Sequence, residues 1–178
     1  MTVLLINGSP RVKGNTSHML GWLKEHLEAE GLKVEYYQLG GKDIKALDVE
    51  DPVINALCEL MLAADGIVIG SPTYYADVSM EVKGAMDRCG IKIGRKLARK
   101  AGAAVVMARR GGAIHVYDTI NHWFGINNMY TVGSSYWNDG YNRDVTKINE
   151  VEEDVEAKKT MKNLAENMAF LIKAIKAQ

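Results

Sequence analysis

The chain has 178 residues, 47% hydrophobic and 25% charged, which is enough to build one compact domain, residues 1–178, around a core of its own. Its 22 basic and 22 acidic residues cancel, so composition gives no support to a basic nucleic-acid or membrane-surface binder. No apolar run approaches the ~20 residues needed to cross a bilayer, and Met1 is not followed by a basic-then-apolar leader, so a soluble, cytoplasmic chain is expected.

The first element is a short apolar run, Val3 to Ile6, the pattern of a strand buried on both faces of a parallel sheet. It runs into "NGSPRVKGNTS", Asn7 to Ser17. From Thr16 a helix is predicted, with Met19, Leu20, Leu23 and Leu27 on one face, ending near Gly31. Val34 to Leu39 is a second strand. Asp51 followed by Pro52 reads as a cap and first-turn pair for a helix carrying Ile54, Leu57, Cys58, Met61 and Leu62. Ile67 to Ile69 is a third strand, followed by "GSPTYYADVS" and a helix after Ser79 with Val82, Ala85, Met86 and Cys89 on its stripe. Ala103 to Met107, the loop "ARRGGA", a helix between Ala113 and Gly125, and a strand at Met129 to Val132 continue the alternation. Gly133 to Thr146 reads as a long loop, and a last helix carries Met161, Leu164, Met168, Leu171, Ile172 and Ile175.

Strands alternating with helices imply a doubly wound α/β sheet with parallel strands, right-handed crossovers and helices on both faces. Ligands of such sheets sit beyond the carboxyl ends of the strands, so the post-strand loops are the ones to read. The first presents Ser9, Arg11, Lys13, Asn15, Thr16 and Ser17 beside a helix N-terminus, a set suited to phosphate. Plain helix capping by Asn15 or Thr16, with turns at Gly8 and Gly14, accounts for four of the loop's residues but not for Ser9, Arg11 or Lys13. The GxxxxGK[ST] and GxGxxG patterns are missing, as is a cysteine nucleophile, so a single terminal phosphate fits best. After the third strand, Pro72 stiffens the exit and Thr73, Tyr74 and Tyr75 stand at the sheet edge. The paired tyrosines serve either as a stacking wall for a flat ring or as rim and interface packing. After the fourth, Gly111 and Gly112 let backbone amides approach a ligand and Arg109 or Arg110 can offset its negative charge; an ordinary helix-entry turn is the alternative. Phosphate at one end and a planar polar ring at the other describe a mononucleotide with a large ring.

"GSPRVKGNTS", "ADGIVIGSPTYYADVSMEVKGAMDR" and "ARRGG" resemble the motifs of the flavodoxin-like NAD(P)H-dependent FMN reductases, particularly the branch containing the iron-sulfur flavoproteins. The resemblance runs from Val3 to about Val132. It implies a five-stranded parallel sheet in order 2-1-3-4-5 and FMN as cofactor, with NADH or NADPH as co-substrate. Ser9, Arg11, Asn15, Thr16 and Ser17 would hold the phosphate, Pro72, Thr73, Tyr74 and Tyr75 would line the isoalloxazine, and Arg109, Gly111 and Gly112 would meet its pyrimidine edge. A homodimer or homotetramer is expected, with the flavin near an interface. One departure is plain: iron-sulfur flavoproteins carry a cysteine cluster between the second strand and second helix, and here that region has no cysteine before Cys58. A cubane cluster needs about four thiolates, and the chain has two cysteines, Cys58 and Cys89, which read as buried packing.

No catalytic side chain and no metal site is nominated. His18 and His26 lie eight apart on one helix, not at ligand spacing, and His115 and His122 carry no motif. The leading expectation is an FMN-dependent oxidoreductase passing electrons from NADH or NADPH to a quinone, free flavin or similar small acceptor. A flavodoxin-type electron carrier and a flavin-binding redox sensor are the alternatives. The loop Ser134 to Tyr141 would either cover the ring or pack Tyr136 and Trp137 in a subunit contact.

Overall fold

The computed structural model describes residues 1–142, 144 and 150–178. Its first strand, β1 (Thr2–Asn7), leads to helix α1 (Asn15–Ala29), then β2 (Lys33–Gln38), α2 (Pro52–Ala63) and β3 (Gly66–Pro72). They are followed by α3 (Met80–Ile93), β4 (Ala101–Ala108), α4 (Ala113–Ile126), β5 (Tyr130–Thr131), β6 (Asp139–Tyr141) and α5 (Val155–Lys176). Strand order is β2-β1-β3-β4-β5, as the family resemblance implied, with every pairing parallel, as the alternation of strands and helices implied. The fold is α/β and flavodoxin-like.

The period-2 alternation of the central strands divides the core into two layers. Leu4, Ile6, Ile67, Ile69, Ala104 and Val106 point toward α2, α3 and α4. Val3, Leu5, Val68, Ala103 and Val105 point the other way, onto the buried stripes of α1 and α5. Helix ends follow local chemistry. At the end of α1, Gly31 takes a left-handed φ of 81°; its amide donates to Glu28 O and that of Leu32 donates to Leu27 O, closing the helix with a Schellman pair. At the start of α2, Asp51 accepts from the amides of Val53 and Ile54.

One expectation changes. The loop expected over Gly133 to Thr146 contains β6, which lies parallel to the carboxyl half of β4, pairing Val106 with Asp139 and Ala108 with Tyr141. β5 pairs only with Ala101 and Gly102. The edge position beside β4 is therefore filled by two short pieces separated by the turn that carries Tyr136 and Trp137. The end of the predicted loop, Arg143 and Val145 to Thr146, lies outside the described residues. Among those residues no helix is long and apolar enough to cross a membrane.

Candidate functional site

The carboxyl ends of β1, β3 and β4 converge on one cavity of about 220 Å³. From the first loop Ser9, Arg11, Asn15 and Thr16 line it. Pro72, Thr73 and Tyr74 come from the second loop and Arg109 from the third. Met107, Ala108 and Asn142 complete the lining; the sequence reading had not singled them out.

The other predicted residues, Ser17, Tyr75, Gly111 and Gly112, do not line this cavity. Ser17 donates its hydroxyl to Gly14 O at 2.8 Å, and its side chain borders a shallow surface depression with Lys13 and His18. Tyr75 is fully exposed at the tip of a tight turn in which Tyr74 and Asp77 exchange backbone bonds of 2.9 and 3.0 Å. Both central residues of that turn, Tyr75 and Ala76, have positive φ, 50° and 61°, a conformation that non-glycine residues adopt at a cost. Gly111 is open to space. Gly112 has a φ of 86°, and a Cβ there would stand 3.2 Å from Ala76, so the second and third loops touch at a point where a side chain would crowd both.

The first loop is held by a network that its own letters do not reveal. Asn7, fully buried at the end of β1, accepts from the Ser9 amide at 3.0 Å and donates to Gln38 Oε1 at 2.8 Å. Gln38 in turn donates to Ser9 O at 2.7 Å and Gly40 O at 2.8 Å. Ser79, which caps α3, donates to Gly8 O at 2.8 Å. A Cβ on Gly8 would come within 2.1 Å of Val82 and one on Gly40 within 2.2 Å of the Ser9 carbonyl carbon, so both glycines are required by close packing. Asn7 and Gln38 are opposite partners in the β1/β2 register, and that pairing, invisible in either segment alone, aims the loop.

The start of α1 is open. Its N-cap is Gly14, no side chain caps it, and its first turn carries no acid. Its first hydrogen bond runs from His18 N to Gly14 O, so the amides of Asn15, Thr16 and Ser17 have no intrahelical acceptor. With the exposed Arg11 alongside, they form an anion seat. Two further polar atoms of the cavity's lining residues, Asn15 Oδ1 and Thr73 Oγ1, are buried with no hydrogen-bond partner. A carbonyl oxygen and a hydroxyl left unsatisfied suit a ligand that brings hydroxyl groups, and Tyr74 at the rim offers a ring face. An anion seat, unpaired polar atoms and an aromatic rim match a phosphorylated polyol bearing a flat ring. These residues fit FMN.

A second cavity, about 280 Å³, lies on the other side of the third loop. Gly112, Ala113 and Ile114 of the α4 start form one wall and Tyr117, Tyr136, Trp137 and Tyr141 the others. Trp137 packs on Tyr117 with ring centroids 6.3 Å apart and on Tyr136 at 5.6 Å. Asp139 faces the same space and accepts the Tyr141 hydroxyl at 2.8 Å. Burial raises the Asp139 carboxyl above the ordinary carboxylate range against the pull of that hydroxyl, and Asp154 and Glu156 add to the rise. Tyr141 is pushed up to about 12 by burial and by its bond to Asp139. Within the chain, then, Tyr136 and Trp137 wall this second cavity.

Between β2 and α2, where iron-sulfur flavoproteins are expected to carry cysteines, the segment is organised by other groups. The Arg88 guanidinium donates to the carbonyl oxygens of Lys45, Ala46 and Val49. Asp51 accepts from Lys45 N at 2.9 Å.

A family model described as NADPH-dependent FMN reductase matches residues 1–144. An iron-sulfur flavoprotein of Methanocaldococcus jannaschii is 30% identical over 195 aligned residues, covering 99% of this chain and all of its own length. An FMN-dependent NADPH-azoreductase of Staphylococcus aureus is 30% identical over 96 residues, 49% of this chain and 51% of its own. Among solved structures, RosB with bound 8-demethyl-8-formylriboflavin-5'-phosphate superposes with a TM-score of 0.82 at 15% identity, over 100% of this chain and 81% of that one. A WrbA-like flavodoxin from Agrobacterium tumefaciens superposes with a TM-score of 0.68 at 17% identity, over 97% of each chain. At such identities the structural likeness speaks for the fold alone. The family match covers the stretch that contains all three post-strand loops, and this chain belongs to the NADPH-dependent FMN reductase family, oxidoreductases that carry FMN.

Proposed function

We propose that this chain takes hydride from NADPH or NADH and passes electrons to a quinone, free flavin or similar small acceptor. The observation that carries this reading is the uncapped start of α1, which opens into the same cavity as the unpaired Asn15 and Thr73 atoms and the Tyr74 ring. FMN held there supplies the hydride-accepting and electron-donating chemistry. The Asn15, Thr16 and Ser17 amides, with Ser9 and Arg11, bind its phosphate. Pro72, Thr73 and Tyr74 line its ring, with Tyr75 beside them on the same turn. Arg109, which lines the cavity, and the Gly111 and Gly112 amides would meet the polar edge of the ring and would favour added negative charge there.

A planar acceptor finds its stacking surface in the aromatic walls of the second cavity, across the Arg109 to Gly112 loop. A homodimer or homotetramer would set the exposed Tyr75 against a neighbouring subunit. Light scattering on a sizing column tests the assembly.

The decisive experiment is anaerobic mixing of the yellow protein with NADPH and with NADH. Bleaching within the mixing time, followed by recovery of colour on adding a quinone, is the expected result. Colour that persists with both nucleotides overturns the reductase reading and leaves a carrier reduced by proteins. Colourless protein whose melting temperature ignores added FMN would remove the assignment of the cavity itself.

A further inference from the structure

Cys58 on α2 and Cys89 on α3 are separated by 31 positions in sequence, yet their sulfurs lie 3.4 Å apart in the buried seam between the helices. Neither lines the two cavities described above, and the proposed reductase reaction leaves both unused. Two cations stand nearby: Arg88 precedes Cys89 and Lys92 stands one turn beyond it, and both favour a thiolate on Cys58. The Cys58 thiol is lowered from the ordinary thiol range, first by its bond to Cys89 and then by those two cations, against the effect of burial; Cys89 is raised by the same bond and by burial. A surface cavity of about 270 Å³, lined by Ile54, Arg88, Ile91 and Lys92 together with the acidic Asp48 and Glu50, opens one helical turn from each cysteine without reaching either sulfur, on residues four before Cys58 and three after Cys89.

We propose that Cys58 and Cys89 are a redox-active dithiol that closes to an intramolecular disulfide when a peroxide reaches it. The Cys58 thiolate attacks one peroxide oxygen, the O–O bond breaks and hydroxide leaves, giving a sulfenic acid on Cys58. The Cys89 sulfur then attacks the Cys58 sulfur, the S–O bond breaks, and the departing hydroxide takes the Cys89 proton. The sum is two thiols and one hydrogen peroxide to one disulfide and two waters. The product staples α2 to α3, close to where Arg88 clamps the Lys45 to Val49 carbonyls. This site is independent of the flavin reading.

The test is thiol counting on the folded, FMN-loaded protein treated with hydrogen peroxide, then denatured and titrated with an aromatic disulfide reagent. Two thiols before treatment should become none, with a mass loss of two hydrogen atoms, no covalent dimer, unchanged flavin absorbance and full recovery on adding dithiothreitol. In Cys89→Ser the remaining Cys58, the less deeply buried of the two, should form a sulfenic acid that dimedone traps. Two thiols surviving peroxide in the folded wild type, or a product consisting only of intermolecular dimers, overturns the proposal. The wild-type count decides the matter even where a serine variant folds poorly.

Discussion

Helices α2, α3 and α5 begin on side chains that satisfy their first amides, whereas α1 and α4 begin on glycines that satisfy none. Asp51, Ser79 and Asp154 accept amide hydrogens at the starts of the first three. Gly14 and Gly112 precede the other two, without a side-chain bond and without an acidic residue in the first turn. α1 opens on the first cavity and α4 on the second. Capping is a stability device worth about 1 kcal/mol per helix. Omitting it leaves amide donors and a partial positive charge free for something that is not part of the chain. In this fold the two helix starts without caps are the two that open on the cavities.

The difference can be broken from either side. The largest effect is expected for Arg11→Ala with Asn15→Ala: loss of charge-assisted and neutral bonds worth about 3 kcal/mol together weakens FMN binding roughly a hundredfold. Flavin fluorescence titration reads that loss, while the melting temperature of the flavin-free protein stays within about 3 °C of wild type. Asp51→Ala should do the opposite, costing about 1–2 kcal/mol of stability in urea unfolding and leaving FMN affinity alone. Burial alone would raise the Asp51 carboxyl, but the amides of Lys45, Ile54 and Val53 and the charge of Arg88 outweigh it and hold the group below the ordinary range. Its stabilisation is therefore present above the unfolded aspartate pKa and lost as pH falls through the lower folded value, so Asp51→Asn should flatten the acid limb of the stability profile.

Installing a cap where the fold omits one sharpens the contrast. Gly14→Asp places a carboxylate on the open amides, with its Cβ about 2.9 Å from that of Arg11, and should cost about tenfold in FMN affinity by competing for the anion seat. The smallest effect is expected for Asp154→Ala, whose carboxylate accepts the Ala157 amide at 2.9 Å. About 1 kcal/mol of stability should go, with no change in flavin titration.

Much of this was legible in the chain itself. Buried parallel strands announce themselves as short apolar runs, and all five predicted strands and five predicted helices are present with ends shifted by a few residues. The cavity-lining loops could be read because they directly follow such strands. β6 could not, since Asp-Gly-Tyr has no apolar run and its extended form comes from pairing with β4. Asn7 and Gln38 escaped because their meeting depends on register, and Asn142 because β6 delivers it to the cavity. Cys58 and Cys89 were legible as buried residues; that they touch depends on how α2 lies on α3.

The divided strand position beside β4 has a bearing on how molecules meet. An unbroken edge strand offers a continuous row of amides and carbonyls on which another chain can build. Here that row is cut: two residues of β5 at one end, three of β6 at the other, and between them a turn bearing Tyr136 and Trp137, both solvent-exposed. Among the described residues, strand-on-strand growth of the sheet would find on this side only two short, interrupted stretches of backbone.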